Sequence, residues 1–363
     1  MKKLLLAILV AVTFVNSICY SQDLKEKVLS KVTELKEETK VKALIAGLWK
    51  GDEELFTVAL GESMTMVPAT EDMHFRIGGV SETFLGTLLM VLVDKGMIDL
   101  NDKISNWMPD LLAADSVTIG MLMKNTGGYK DYVYNDEFVN LAISQPFREF
   151  TPEEIIEYSV EDGKLNFFPG TDSKYSHTEF TILEQVLIRA LGRSMPELYS
   201  EYIFKPLGLN NTGYMTSPEL PFPVLHSFSK DRDIYEDATY WNPSWTGGSG
   251  PLYSNILDLG KWGPIFGKGK LLSEESFKVL TGRYKNVGNP DIYFASGFLV
   301  TEGWYMQNPS FNGFSGSFGY NPDGEYTLIV YSTIAEDSKA GVKAFDIFKE
   351  LIEIITPGTK LNF

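Results

Sequence analysis

The chain has 363 residues, 44% of them hydrophobic and 13% aromatic, and a formal charge of −16. This length and composition suit a globular protein with a large core rather than a disordered chain. The acidic balance excludes a nucleic-acid partner, which would need a basic face, and fits a soluble exported protein kept dispersed by like charge.

Residues 1–21 read as an export signal. Lys2 and Lys3 give a positive start, and Leu4 to Val15 is apolar apart from Thr13. That run is too short to span a bilayer with ease, and Cys19 and Ser21 supply small residues before a cut ahead of Gln22. A lipoprotein with Cys19 lipidated ranks second, because Ile18 is a poor residue just before such a cysteine. Removing the leader, with its two lysines and no acid, takes the charge to −18 and removes the single cysteine. The mature chain then has no disulfide, thiol chemistry or cysteine metal site. No later stretch is long and apolar enough for a membrane helix.

Residues 23–39 carry Leu24, Val28, Val32 and Leu35 at helical spacing. VKALIAGLWKGDEELFTVALG predicts two strands around a Gly51-Asp52 turn. LGTLLMVLVDKGMIDLNDKI predicts a buried helix ending near Gly96, followed by a polar loop from Asp99 and Asp102. DSVTIGMLM, residues 115–123, reads as a short helix entry, and NTGGYKDY as a loop. FTPEEIIEYSV has a Thr151 cap, Pro152 at the first helical position and acids in the first turn. FTILEQVLIRALG predicts an amphipathic helix stopped by Gly192, and MPELYSEYIFKPLGL another short one. Residues 217–251, rich in proline, aromatics and glycine, read as a long ordered loop or edge region. SNILDLGKWGPIF resumes helix. FASGFLVTEGWYM, SGSFGYNP and EYTLIVYST then predict strands, and KAGVKAFDIFKELIEII a closing helix.

Strands at both ends with helices between predict an α+β fold: a mainly antiparallel sheet built from both chain ends, flanked by N- and C-terminal helices, plus a mostly helical lobe. Residues 22–363 form one unit in this reading. Its sheet lobe comes from about 22–78 and 250–363, and its helical lobe from about 79–249.

Several segments, in this order, carry a family resemblance: FRIGGVSETFLGTLLMVLVDKGMIDLNDKISNWMPDL, VTIGMLMKNTGGYKDY, FPGTDSKYSHTEFTILEQVL, IFKPLGLNNTGY, GGSGPLYSNILDLGKW and FGYNPDGEYTLIVYST. Over nearly the whole mature chain the sequence resembles the serine β-lactamase and penicillin-binding-protein-like hydrolases, especially the class C β-lactamase, D-alanyl-D-alanine carboxypeptidase and esterase branch. The resemblance implies a β-lactamase/transpeptidase-like fold. It also implies a serine at a helix N-terminus with a lysine three positions on, one turn along the same face. A tyrosine in a Y-x-N motif and an H-x-G or K-T-G edge strand would complete the cleft.

FRIGGVSETF places Gly79 at the serine position and Glu82 at the lysine position. Glycine has no side chain to attack with, and glutamate cannot copy a lysine's charge. Ser81 lies two positions from Gly79, roughly 200° around a helix, so it points away from the cleft. Thr83 is read the same way, as an ordinary helix residue. The second motif reads Tyr175-Ser176-His177, with histidine at the asparagine position. Glu82 and His177 are expected to face each other and pair, which would raise the histidine's affinity for a proton; the alternative is a hydrogen-bonded structural histidine. Counting back from GFSGSFGYNPDG puts Gln307-Asn308-Pro309 at the third motif, with Phe311-Asn312-Gly313 as the alternative register. Neither offers the usual basic residue or histidine.

No cofactor and no metal is implied. His74, His177 and His226 are scattered without zinc-ligand spacing. GGSG at 247–250 matches the family's GG-LYS segment, not a phosphate loop. The expectation is an exported, catalytically inactive member whose cleft binds an envelope ligand (a small molecule, peptide or glycan) or a partner protein. The alternative is a hydrolase using a non-standard Glu82, Tyr175 and His177 site through water. A serine hydrolase with its nucleophile elsewhere comes third.

Overall fold

A computed structural model describes residues 22–285, 287, 289–338 and 341–361. The leader reading and Cys19 lie outside these residues.

The frame is an antiparallel sheet whose centre joins the two ends of the described chain. Strand Ala43–Lys50 pairs on one side with Glu53–Met64, around the Gly51-Asp52 turn. On its other side it pairs along its whole length with Tyr326–Thr333, residue 43 opposite 333 and residue 50 opposite 326. Phe314–Asn321, Trp304–Gln307, Leu299–Thr301 and Ile292–Phe294 continue the sheet outward. Side chains alternate across a strand. Ala43 and Ile45 enter one core, while Leu44, Ala46 and Leu48 enter another. Both faces are covered, so the strand is buried throughout except at Lys50.

The second core lies under helix 22–39 and helix Ala344–Ile355. Leu24, Val28, Val32 and Leu35, the stripe expected from periodicity, are all buried there. The first core holds helices Val80–Asp94 and Ile256–Gly267, then the helices of the intervening segment. The chain between the two halves of the sheet is mostly helical, as in an α+β fold. Among the described residues no helix is long and apolar enough to cross a membrane.

Local signals explain most boundaries. The Thr151 hydroxyl accepts the Glu154 N–H at the start of Pro152–Val160, and Gly192, at φ 63°, ends His177–Leu191. Helices Asp136–Ser144 and Glu274–Thr281 were not expected from the sequence. Both are short, and each buries little: Phe138 in the first, Ser276 and Leu280 in the second. At nine and eight residues, each offers only two turns over which an apolar period could be read. The loop-like stretch 217–251 contains a two-stranded ribbon, Phe228–Ser229 with Glu236–Asp237, and a 3₁₀ segment, Pro243–Ser249.

Candidate functional site

Helix Val80–Asp94 is buried along nearly its whole length, so the first turn sits deep in the protein. Glu82 is fully buried in that turn, three residues after Gly79 and on the same face. Ser81 and Thr83 are turned elsewhere and committed. The Ser81 hydroxyl accepts the Leu252 N–H at 3.2 Å, and the Thr83 hydroxyl donates to the Val80 carbonyl and accepts from Trp262 Nε1.

Two side chains converge on Glu82. Tyr175, in the segment leading into helix His177–Leu191, donates its hydroxyl to Oε1. Gln307, at the end of strand Trp304–Gln307, donates Nε2 to Oε2 at 2.9 Å and to the Gly297 carbonyl at 2.8 Å. Gly297 allows this close approach. It sits at φ +86°, and a Cβ there would fall 2.2 Å from the Glu82 carbonyl oxygen. The chain can therefore pass directly against the helix only as glycine.

The amide of Gln307 is thus fixed by both Nε2 bonds, and its oxygen faces Gly79. Gly79 has ordinary helical angles, φ −58° and ψ −14°, which any residue can adopt. Space, not conformation, answers to its missing side chain: a Cβ at Gly79 would lie 2.9 Å from Gln307 Oε1.

Burial pushes the Glu82 carboxyl well above the usual carboxylate range; the bonds from Tyr175 and Gln307 oppose this, and the charge of Asp131 adds to it. Burial and the adjacent Glu82 likewise push the Tyr175 phenol up.

The expected Glu82–His177 pair does not form. His177 Nδ1 bonds instead to Asp131 Oδ2 at 2.8 Å, and Asp131 is almost wholly buried. Asp131 stands in the NTGGYKDY loop, held there as the cap that receives the Val133 N–H. It meets His177 at the first residue of helix His177–Leu191. The His177 ring meets Tyr175 edge-on at 4.7 Å. The structure therefore brings together Gly79, Glu82, Tyr175 and Gln307, with His177 beside them on a separate carboxylate. In the alternative third-motif register, Asn312 and Gly313 are turn residues at φ 45° and 77°, next to the Phe228 segment and not against Glu82. The other histidines are elsewhere: His74 Nδ1 lies against the Pro223 carbonyl, and His226 Nδ1 bonds Asp237.

A cleft of about 460 Å³ opens above this floor. Val133, Trp245, Phe294, Leu299, Met306 and Pro309 form apolar walls, and Tyr175, His177, Thr246 and Ser249 add polar groups. Sequence reasoning missed Asp131, Trp245, Phe294 and Gly297. Asp131 is 46 residues from its histidine, and no local pattern links the two.

A family model described as Beta-lactamase matches residues 28–349. The Bacillus subtilis (strain 168) protein PbpX, whose name places it among penicillin-binding proteins, is 23% identical over 74% of this chain and 64% of its own length. A β-lactamase of Escherichia coli (strain K12) is 23% identical over 66% of this chain and 60% of its own. The matched stretches thus span less than two thirds of these curated relatives. A D-stereospecific amidohydrolase from Streptomyces sp. superposes with a TM-score of 0.79 at 22% identity, covering 92% of this chain and 99% of that one. At such identity the likeness speaks for the fold alone, a β-lactamase/transpeptidase-like arrangement. With the family model spanning most of its length, the chain belongs to the β-lactamase family.

Proposed function

We propose that this protein is a non-hydrolysing member of its family, a pseudoenzyme whose cleft holds a ligand without cleaving it. One observation carries the reading: Gln307 stands where a side chain on residue 79 would have to go, tied down through Glu82 and Gly297. Three motif positions, 79, 82 and 307, have changed into a mutually consistent hydrogen-bonded floor. Losing a nucleophile from a cooperating set costs on the order of 10⁶ in turnover, and here the lysine is gone as well. The ligand would be a small molecule, peptide or glycan fragment of the cell envelope, or part of a partner protein. The leader-like residues 1–21 support export to the periplasm or the medium.

The test is hydrolysis of a chromogenic cephalosporin and a chromogenic ester by the purified protein, with Glu82→Gln as control. The expected result is no turnover above that control. A second reading, hydrolysis by an acid–base set of Glu82, Tyr175 and His177, draws on the Asp131-backed His177 beside the cleft. It requires turnover that falls in both Glu82→Gln and His177→Ala, and that outcome would overturn the pseudoenzyme reading.

A further inference from the structure

A second cavity, of about 670 Å³, lies away from the cleft and shares no lining residue with it. Helix Glu274–Thr281 and the residues just after it form one side, and the segments around residues 100–103 and 118–124 form the other. Its apolar lining includes Leu100, Met121 and Val279. A small molecule fits such a volume, since ligand sites typically measure about 300–1,000 Å³.

The charges around it run against those of the whole molecule. The chain carries 48 acids to 32 lysines and arginines. This cavity is lined by Lys103, Lys278, Arg283, Lys285 and the buried Lys124, with Glu275 as the acid among them. Asp99 and Asp102, on the same segment as Lys103, do not belong to the lining. Lys278 is held by Glu274 at 2.6 Å, but the two side chains are 72% and 84% exposed, and such a pair is worth little. Setting Glu274 and Glu275 against Lys103, Lys278, Arg283 and Lys285 leaves an excess of two positive charges before Lys124 is counted. A helix C-terminus would ordinarily turn an anion away, since its last carbonyls carry partial negative charge. Here the Val279, Leu280 and Gly282 carbonyls already accept from Lys124 Nζ.

We infer that this cavity binds a small dianion with an apolar body, a phosphate monoester or a dicarboxylate. The cations come from two segments far apart in sequence, Lys103 from one and Lys278, Arg283 and Lys285 from the other, so they surround the space rather than track along one face. A dianion matches their excess charge, and a monoanion leaves half of it uncompensated. Arg283 adds a planar fork suited to the oxygens of a phosphate or carboxylate. The apolar body rests on Leu100, Met121 and Val279. This site is independent of what the cleft does.

Phenyl phosphate, isophthalate and benzoate, titrated into the full chain by calorimetry, test it. At about pH 7.5 a phosphate monoester is mostly a dianion, its second pKa being about 6. At least one of the two dianions is expected to bind at least about tenfold more tightly than benzoate, and to weaken as salt rises. Binding of phenyl phosphate alone supports a phosphate ligand, and binding of isophthalate alone a dicarboxylate. Lys103→Glu, at an exposed position, is expected to weaken the dianion about tenfold, and Arg283→Ala about fivefold. Lys349→Glu makes the same charge change on helix Ala344–Ile355, which covers the other core. Its effect is expected to stay below about twofold. Benzoate binding as tightly as the dianions, an equal loss in Lys349→Glu and Lys103→Glu, or no binding of either dianion would each overturn the inference.

Discussion

Replacing Gly79 by serine, the residue the family resemblance implies there, is expected to damage this protein rather than repair it. The new Cβ would start 2.9 Å from Gln307 Oε1, whereas carbon and oxygen rest comfortably only about half an ångström further apart. The amide must retreat, but its Nε2 holds Glu82 at 2.9 Å and the Gly297 carbonyl at 2.8 Å. Both bonds cannot follow the shift, and leaving one buried acceptor unpaired costs about 1–3 kcal/mol. Gly79→Ser should therefore lose about that much stability. Gln307→Ala, which strips donors from two buried acceptors, should lose roughly 2–4 kcal/mol. In the double variant the serine enters the space the amide has left, so its own penalty disappears. The cycle should show a coupling of at least about 1 kcal/mol, read from urea midpoints at constant m-value. Additive losses, within about 0.5 kcal/mol, would refute the claim that Gln307 occupies the space of the missing side chain. Neither single variant nor the double should hydrolyse the chromogenic substrates, because no lysine stands at residue 82.

Tyr175→Phe removes a donor from Glu82 and should cost about 1–2 kcal/mol in chemical denaturation, with little change in fold by circular dichroism. Lys124 is buried and donates Nζ to the Val279, Leu280 and Gly282 carbonyls at the end of helix Glu274–Thr281; Lys124→Met should destabilise by roughly 2–4 kcal/mol, and a loss below 0.5 kcal/mol would contradict a capping role. Burial raises the Glu184 carboxyl from 4.5 to about 7, against a single bond from Tyr214. The native state therefore holds a proton that the unfolded chain releases. The contribution is complete below the unfolded value of 4.5 and lost as pH rises through about 7. Stability should fall across that window by up to roughly 3 kcal/mol from this group, and Glu184→Gln should flatten the fall in a pH series of urea melts.

The fold was legible because its signals are local and repeated. The stripe of Leu24, Val28, Val32 and Leu35, the Gly51-Asp52 turn, the Thr151 cap and the Gly192 stop each determine an element within a few residues. The sheet could be anticipated from strands at both chain ends. The candidate site was legible in its members, since FRIGGVSETF and YSH fix register, and a count from GFSGSFGYNP reaches Gln307. Its pairings were not. Glu82 and His177 looked like complementary partners, yet the first turn of the helix delivers Glu82 to Tyr175 and Gln307, while His177 meets Asp131 from a loop. Which carboxylate an imidazole meets depends on the placement of segments far apart in sequence, and one chain's residue types do not encode that placement.

The central strand pair has a consequence for how the molecule is made. Ala43–Lys50 finds the partner for its second edge in Tyr326–Thr333, residue 43 against residue 333. During synthesis the early strand must wait, paired on one edge by Glu53–Met64 and open on the other, until almost the whole chain has emerged. Closing so long a loop is a non-local step that slows folding, and meanwhile an unpaired, strongly apolar edge, ALIAGLW, is available to other chains. Chains cut short before residue 326 should accumulate as aggregates rather than as folded fragments.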